Sequence, residues 1–212
     1  MTNIILVRHG EVAGNAGQLP AFVGWSDLPL NARGEAQSLA AGEYLCNETI
    51  AAVYSSDLQR AQLTGRRIAE NQNLVVHTDP DLREVNYGKW EGLSEAELLR
   101  EYSSQWQARQ KDPWNVAALD GENYAQMWAR FVPKWNAIVE MHHNETVVLV
   151  GHNGLLRILL CHLLGAPFEN FKRIRIANCS VTRVEIERDK GGGERVPVQS
   201  VNDTCHLKNI EL

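Results

Sequence analysis

Two short, strongly apolar runs, Ile4 to Val7 and Thr146 to Val150, each stop abruptly at a polar loop that carries a histidine beside glycine. Runs of this kind, without polar alternation, predict parallel strands buried on both faces. Ala51 to Tyr54 and Leu74 to His77 predict two further short strands, the second ended by Asp79-Pro80. Between them the apolar spacing lengthens to that of helices. Asn31 is a suitable N-cap for a helix reaching about Cys46, with Ala36, Leu39 and Ala40 at core spacing. Ser55 or Ser56 is placed to cap a second helix, from about Leu58 to Glu70, whose Leu58, Ala61 and Ile68 share one face. Arg60 falls in its first turn, where a cation opposes the helix dipole and invites a functional reason.

Ser94-x-x-Glu97 is a capping box for a short helix. Gly121 to about Met141 predicts a longer one, marked by Tyr124, Trp128, Phe131 and Trp135, which Pro133 should kink or restart. Together these segments read as a helical insertion at about 94–141. A helix from Leu155 to Leu164 follows the second strong strand and stops at Gly165 and Pro167. Asn178 to Glu187 and Val196 to Val201 read as late strands joined by a hairpin across Gly191-Gly192-Gly193. The order predicts a single α/β domain over 1–212, three layers deep, with a mainly parallel central sheet.

Composition narrows the function. At 44% apolar and 22% charged residues the chain is an ordinary globule, and its net charge of −5 argues against a nucleic-acid partner. No run approaches the about 20 apolar residues of a spanning helix, and Met1-Thr2-Asn3 has no leader-like character, so a cytoplasmic setting is expected. Cys46, Cys161, Cys179 and Cys205 are widely spaced and read as reduced, mostly buried thiols. His142-His143 reads as a solvated helix end, and neither a metal nor any other cofactor is expected. Self-association is left open.

In an open α/β sheet, ligands bind beyond the carboxyl ends of the strands, where strand order reverses. If the two strong strands are neighbours, His9 and His152 face each other across one pocket. Arg8 adds a permanent cation beside His9, and Arg60 adds another if its helix begins at the same edge. Guanidinium forks match phosphate geometry, while Gly10 and Gly154 let backbone N–H groups approach an anion at a helix start. Among arginines a histidine's neutral form is favoured, which leaves a ring nitrogen free to attack phosphorus. The leaving alkoxide needs a proton donor. Glu84 is the best-placed carboxylate, although Glu11, Glu91 and Glu122 compete with it. The turn-rich loop from Asn15 to Pro29 carries Phe22 and Trp25, which could close over a leaving group or simply anchor the loop.

Arg8-His9-Gly10-Glu11 with Asn15, Ser56-Asp57-Leu58-Gln59-Arg60-Ala61, Leu82-Arg83-Glu84 with Gly88-Lys89-Trp90-Glu91-Gly92, Gly121-Glu122-Asn123 and Gly151-His152-Asn153-Gly154 resemble, in order, the motifs of the histidine phosphatase, or phosphoglycerate-mutase-like, superfamily. The resemblance implies that His9 becomes phosphorylated and Glu84 serves as acid and then base. It also implies that Arg8, Arg60 and His152 hold the phosphoryl oxygens, assisted by Asn15; Asn153 and Gly154, at the helix start after the second strong strand, are also expected on the phosphate. No metal is needed in that scheme. Val12 departs from the family's usual Ser or Thr, and Asn123 from its usual Ser. The expected activity is a phosphomonoesterase acting on a small phosphate ester. The Glu84 to Gly92 segment looks like the phosphatase branch, with a bisphosphoglycerate-dependent mutase or a non-catalytic phospho-ligand module as alternatives.

Overall fold

The computed structural model describes residues 1–12, 22–188 and 194–210. Its strands are β1 (Thr2–Arg8), β2 (Ala52–Ser55), β3 (Val76–Thr78), β4 (Thr146–Gly151), β5 (Val181–Arg188), β6 (Glu194–Arg195) and β7 (Val198–Asp203). They form one sheet in the order β3-β2-β4-β1-β5-β6, with β7 also paired to β5. The first four are mutually parallel, and β5 runs antiparallel to β1 and to its partners β6 and β7. The glycines expected to join β5 to β6 lie outside the described residues.

Successive side chains of a strand point to opposite faces, and each face here meets its own core. Ile4, Leu6, Val147 and Leu149 pack with the apolar sides of α5 (Tyr124–Met141) and α6 (Asn153–Leu163). Ile5, Val7, Val148 and Val150 pack with residues of α2 (Gln59–Glu70) and with Leu45, just beyond α1 (Ala32–Tyr44). Each fully buried aliphatic side chain contributes about 1.5–3 kcal/mol to burial. The result is the expected three-layer α/β/α architecture. α3 (Glu95–Glu101) and α4 (Ser103–Lys111) build a smaller cluster around Trp90, Leu98 and Trp106, whereas α5 belongs to the main core.

Several local expectations need correction. α1 keeps its Asn31 cap but buries Gly34, Gln37, Ser38, Ala41 and Gly42, leaving Leu39 47% exposed. The helix lies too close to its neighbours for large side chains on that face: a Cβ on Gly34 would stand 1.9 Å from the Glu11 carbonyl oxygen. Neither Ser55 nor Ser56 caps α2; Asp27 Oδ1 instead accepts from Gln59 N–H at 2.7 Å. α5 runs through Pro133 without a restart, opened by a reciprocal Asn123–Gln126 capping box. His142 is buried between Tyr54 and Glu145 rather than solvated. All four cysteines are unpaired, but Cys46 and Cys205 are exposed. Among the described residues, no helix is long and apolar enough to cross a membrane.

Candidate active site

β1 and β4 are adjacent and parallel, with Arg8 opposite Gly151, and His9 N–H extends the ladder to the Gly151 carbonyl at 3.0 Å. Beyond this edge the chain leaves β1 for the α1 face and leaves β4 for the α6 face, which opens a crevice between the two paths. His9 and His152 meet there, ring centroids 5.1 Å apart. A cavity of about 120 Å³ at this point is lined by Arg8, His9, Val12, Val23, Arg60, Glu84, Tyr87 and Asn153. The expected histidines, arginines and Glu84 therefore come together; Asn15 lies outside the described residues.

His9 Nδ1 lies 2.7 Å from the Gly10 carbonyl oxygen. A carbonyl only accepts, so Nδ1 carries the proton and Nε2 of the neutral ring keeps a free lone pair. Burial, and then the charges of Arg60 and Arg8, hold this histidine's pKa well below its ordinary value. Arginine repulsion is thus present as expected but is second to desolvation. His152 is displaced in the same direction, by burial first and Arg60 next.

Arg60 is fully buried and donates to the Ser26 carbonyl at 2.7 Å and the Gly24 carbonyl at 2.5 Å. That loop is tied in turn to Glu91, whose carboxylate accepts from the N–H groups of Gly24, Trp25, Ser26 and Tyr87. Arg8 donates to the Ile176 carbonyl at 2.7 Å, and burial lowers its pKa to about 10. Arg8 Nε, Arg60 Nε and His152 Nδ1 are buried with no hydrogen-bond partner among the described residues. Arg8 and Arg60 line the cavity and the His152 ring packs against His9, a grouping that suits an anion with several oxygens.

The competing acids now separate. Glu122 pairs with Arg130 at 2.9 Å, Glu11 accepts from Asn31 at 2.7 Å, and Glu91 organises the loop. Only Glu84 of the four lines the cavity. Its carboxylate accepts from Gly154 N–H at 2.7 Å and Leu155 N–H at 3.2 Å, while its own carbonyl accepts from Arg130 and the Trp25 indole. This revises the expected part of Gly154: the start of α6 serves the Glu84 carboxylate, and Gly10 N–H is likewise taken, by Thr64 Oγ. Phe22 packs edge-on against Tyr87 and Trp106, and Trp25 lies under Arg83. Both are anchors here, and Val23 between them faces the cavity.

Sequence reasoning missed Tyr87 and Val23 in the cavity wall, Arg130 behind Glu84, and Ser56, whose Oγ lies 2.7 Å from His152 Nε2. Tyr87 and Ser56 stood inside quoted motifs and could have been found; nothing in the sequence marks Val23 or Arg130. Among the described residues no cluster of His, Cys, Asp and Glu is arranged to hold a metal ion.

The chain matches the family model of the histidine phosphatase superfamily, branch 1, over residues 4–198. It belongs to that superfamily. It is 30% identical over 207 residues to phosphoserine phosphatase 1 of Hydrogenobacter thermophilus, covering 98% of this chain and 95% of that protein. It is 33% identical over 208 residues to the probable phosphoglycerate mutase GpmB of Yersinia enterocolitica, with the same coverage of 98% and 95%. The solved α-ribazole phosphatase of Shigella flexneri superposes with a TM-score of 0.84 at 26% identity, over 95% of this chain and 96% of that one. The proteins it is similar to are named for both phosphatase and mutase activities.

Proposed function

We propose that this histidine phosphatase hydrolyses the phosphomonoester of a small metabolite through a phosphohistidine on His9, without a metal. The observation that carries the reading is the free Nε2 of a buried, neutral His9 in one cavity with Arg8, Arg60 and Glu84. In the first step Nε2 bonds to phosphorus as the ester P–O bond breaks, and protonated Glu84 gives its proton to the departing alkoxide. In the second, Glu84 takes a proton from water, the water oxygen bonds to phosphorus, the P–N bond breaks and inorganic phosphate leaves. Arg8 and Arg60 neutralise the phosphoryl oxygens throughout, the part a metal plays in other phosphatases, and His152 hydrogen-bonds to them. Asn153 sits at the cavity wall to assist.

The names of the relatives support a small phosphorylated substrate such as phosphoserine, a phosphoglycerate or a ribazole phosphate. The four unpaired cysteines support a cytoplasmic setting, and residues 1–212 are read as one catalytic domain. The similarity to a probable phosphoglycerate mutase favours a second reading, in which a bound acceptor takes the phosphoryl group in place of water. A chromogenic aryl phosphate tests the main reading: turnover is expected to be unchanged by excess chelator, and activity lost on chelation and restored by a divalent ion would overturn it. Faster transfer to a phosphoglycerate than to water would favour the mutase.

A further inference from the structure

Ser56 opens the loop between β2 and α2 and is fully buried, and among the described residues its side chain makes one hydrogen bond, Oγ to His152 Nε2 at 2.7 Å. The direction of that bond decides where the His152 proton sits. A neutral imidazole has one N–H and one lone pair, and a hydroxyl has one proton to give. Were Nε2–H to donate to Ser56, the serine hydroxyl proton would have no acceptor among the described residues, and the bare Nδ1 would be a second buried polar atom without a partner. Were Ser56 to donate to Nε2, its proton would be satisfied and a single group, Nδ1–H, would remain. The second arrangement leaves fewer buried groups unpaired, each of which is costly.

We infer that Ser56 is a positioning residue: its hydroxyl donates to His152 Nε2 and holds the ring in the tautomer that carries its proton on Nδ1, ready to donate to a phosphoryl oxygen. This rests on the proposed phosphoryl-transfer reading for its purpose, but not for its geometry. The ring lies 5.1 Å from that of His9, and its Nδ1, like Arg8 Nε and Arg60 Nε, is buried without a partner among the described residues. The opposite tautomer would aim a lone pair at the phosphoryl oxygens and repel them. The ring is held neutral by burial and by Arg60, so its tautomer, rather than its charge, is the variable that Ser56 sets. The serine therefore acts through His152, and does for it what the Gly10 carbonyl does for His9: each partner fixes one nitrogen and leaves the other for phosphorus chemistry.

Nitrogen-15 NMR of the histidine-labelled full chain, with His152 assigned by comparison with His152→Asn, reads the tautomer directly. The wild type is expected to show a protonated Nδ1 and a bare Nε2 at His152; a protonated Nε2 would overturn the inference whatever the activity. Ser56→Ala is expected to give a mixture of tautomers and to lower kcat/KM for an aryl phosphate and affinity for vanadate by about 10- to 100-fold. If Ser56→Ala loses activity while His152 keeps its Nδ1 proton, or keeps wild-type activity within about twofold, the role assigned to Ser56 is wrong. A Ser56→Ala chain that fails to fold leaves the wild-type spectrum to decide. Absence of turnover by the wild type would reject the phosphatase reading while the tautomer is still read from its spectrum.

Discussion

Two buried histidines give the site its pH signature. His9 and His152 stay neutral in the folded chain because burial and nearby arginines lower their pKa values, whereas in the unfolded chain they titrate near about 6.5. Above that pH both states are neutral and the pair adds nothing to the pH dependence. Below it the unfolded chain takes up protons that the folded one refuses, so stability falls as pH drops. Urea midpoints measured from about pH 7.5 to 5 should decline, and a His9→Asn/His152→Asn double variant should decline less steeply; equal slopes would show that these rings are not the cause. The residue scale is also where the sequence was most legible. Arg8, His9, Arg60, Glu84 and His152 could be named because their chemistry is unusual at strand ends and helix starts. Ser56 was visible as a residue but not as a partner of His152, because that contact spans 96 positions and has no local signal.

Elements were read correctly where large apolar side chains faced the core, as in β1, β4 and α6, while α5 was found but runs unbroken through Pro133. α1 was misread because its buried face is made of small and polar residues, chosen for close approach to the His9 loop and α2 rather than for hydrophobic area. Apolar spacing cannot report such a face. The structure reverses the expected importance of two positions on that helix. Gly34→Ala places a Cβ against the Glu11 backbone and should cost about 1–3 kcal/mol of stability, lowering kcat as the His9 loop shifts. Leu39→Gln, at a 47% exposed position, should stay within about 0.5 kcal/mol of wild type. Chemical denaturation of the two variants compares them directly, and a larger loss for Leu39→Gln would contradict the packing described. Glu91 carries a similar lesson. It read as a competitor of Glu84 for the proton-donor role, yet it collects four backbone N–H groups, three from the Arg60 loop and one from Tyr87. Glu91→Gln replaces an acceptor oxygen with a donor and should destabilise the chain by about 1–3 kcal/mol and raise KM through a loosened Arg60. Unchanged KM and stability would remove Glu91 from this role.

At the scale of the whole molecule, the carboxyl ends of the parallel strands gather residues far apart in sequence into one small anion-binding site on a chain whose net charge is −5. The positive charge is therefore local, set in a buried cavity where little water screens it. Both rings sit in that field, and what separates them is that His9 Nε2 is free whereas His152 Nε2 is held by Ser56 Oγ, so the proposed covalent step falls to His9. The most direct test is to trap the intermediate in the Glu84→Gln chain with a labelled phosphate ester that has a good leaving group. Such a leaving group needs little protonation, so the first step survives, while attack by water slows by about 10²–10⁴. The account predicts an acid-labile, base-stable phosphohistidine that accumulates, maps to the peptide containing His9 and disappears in His9→Ala. Label on His152, or near-normal turnover by His9→Ala, would contradict it.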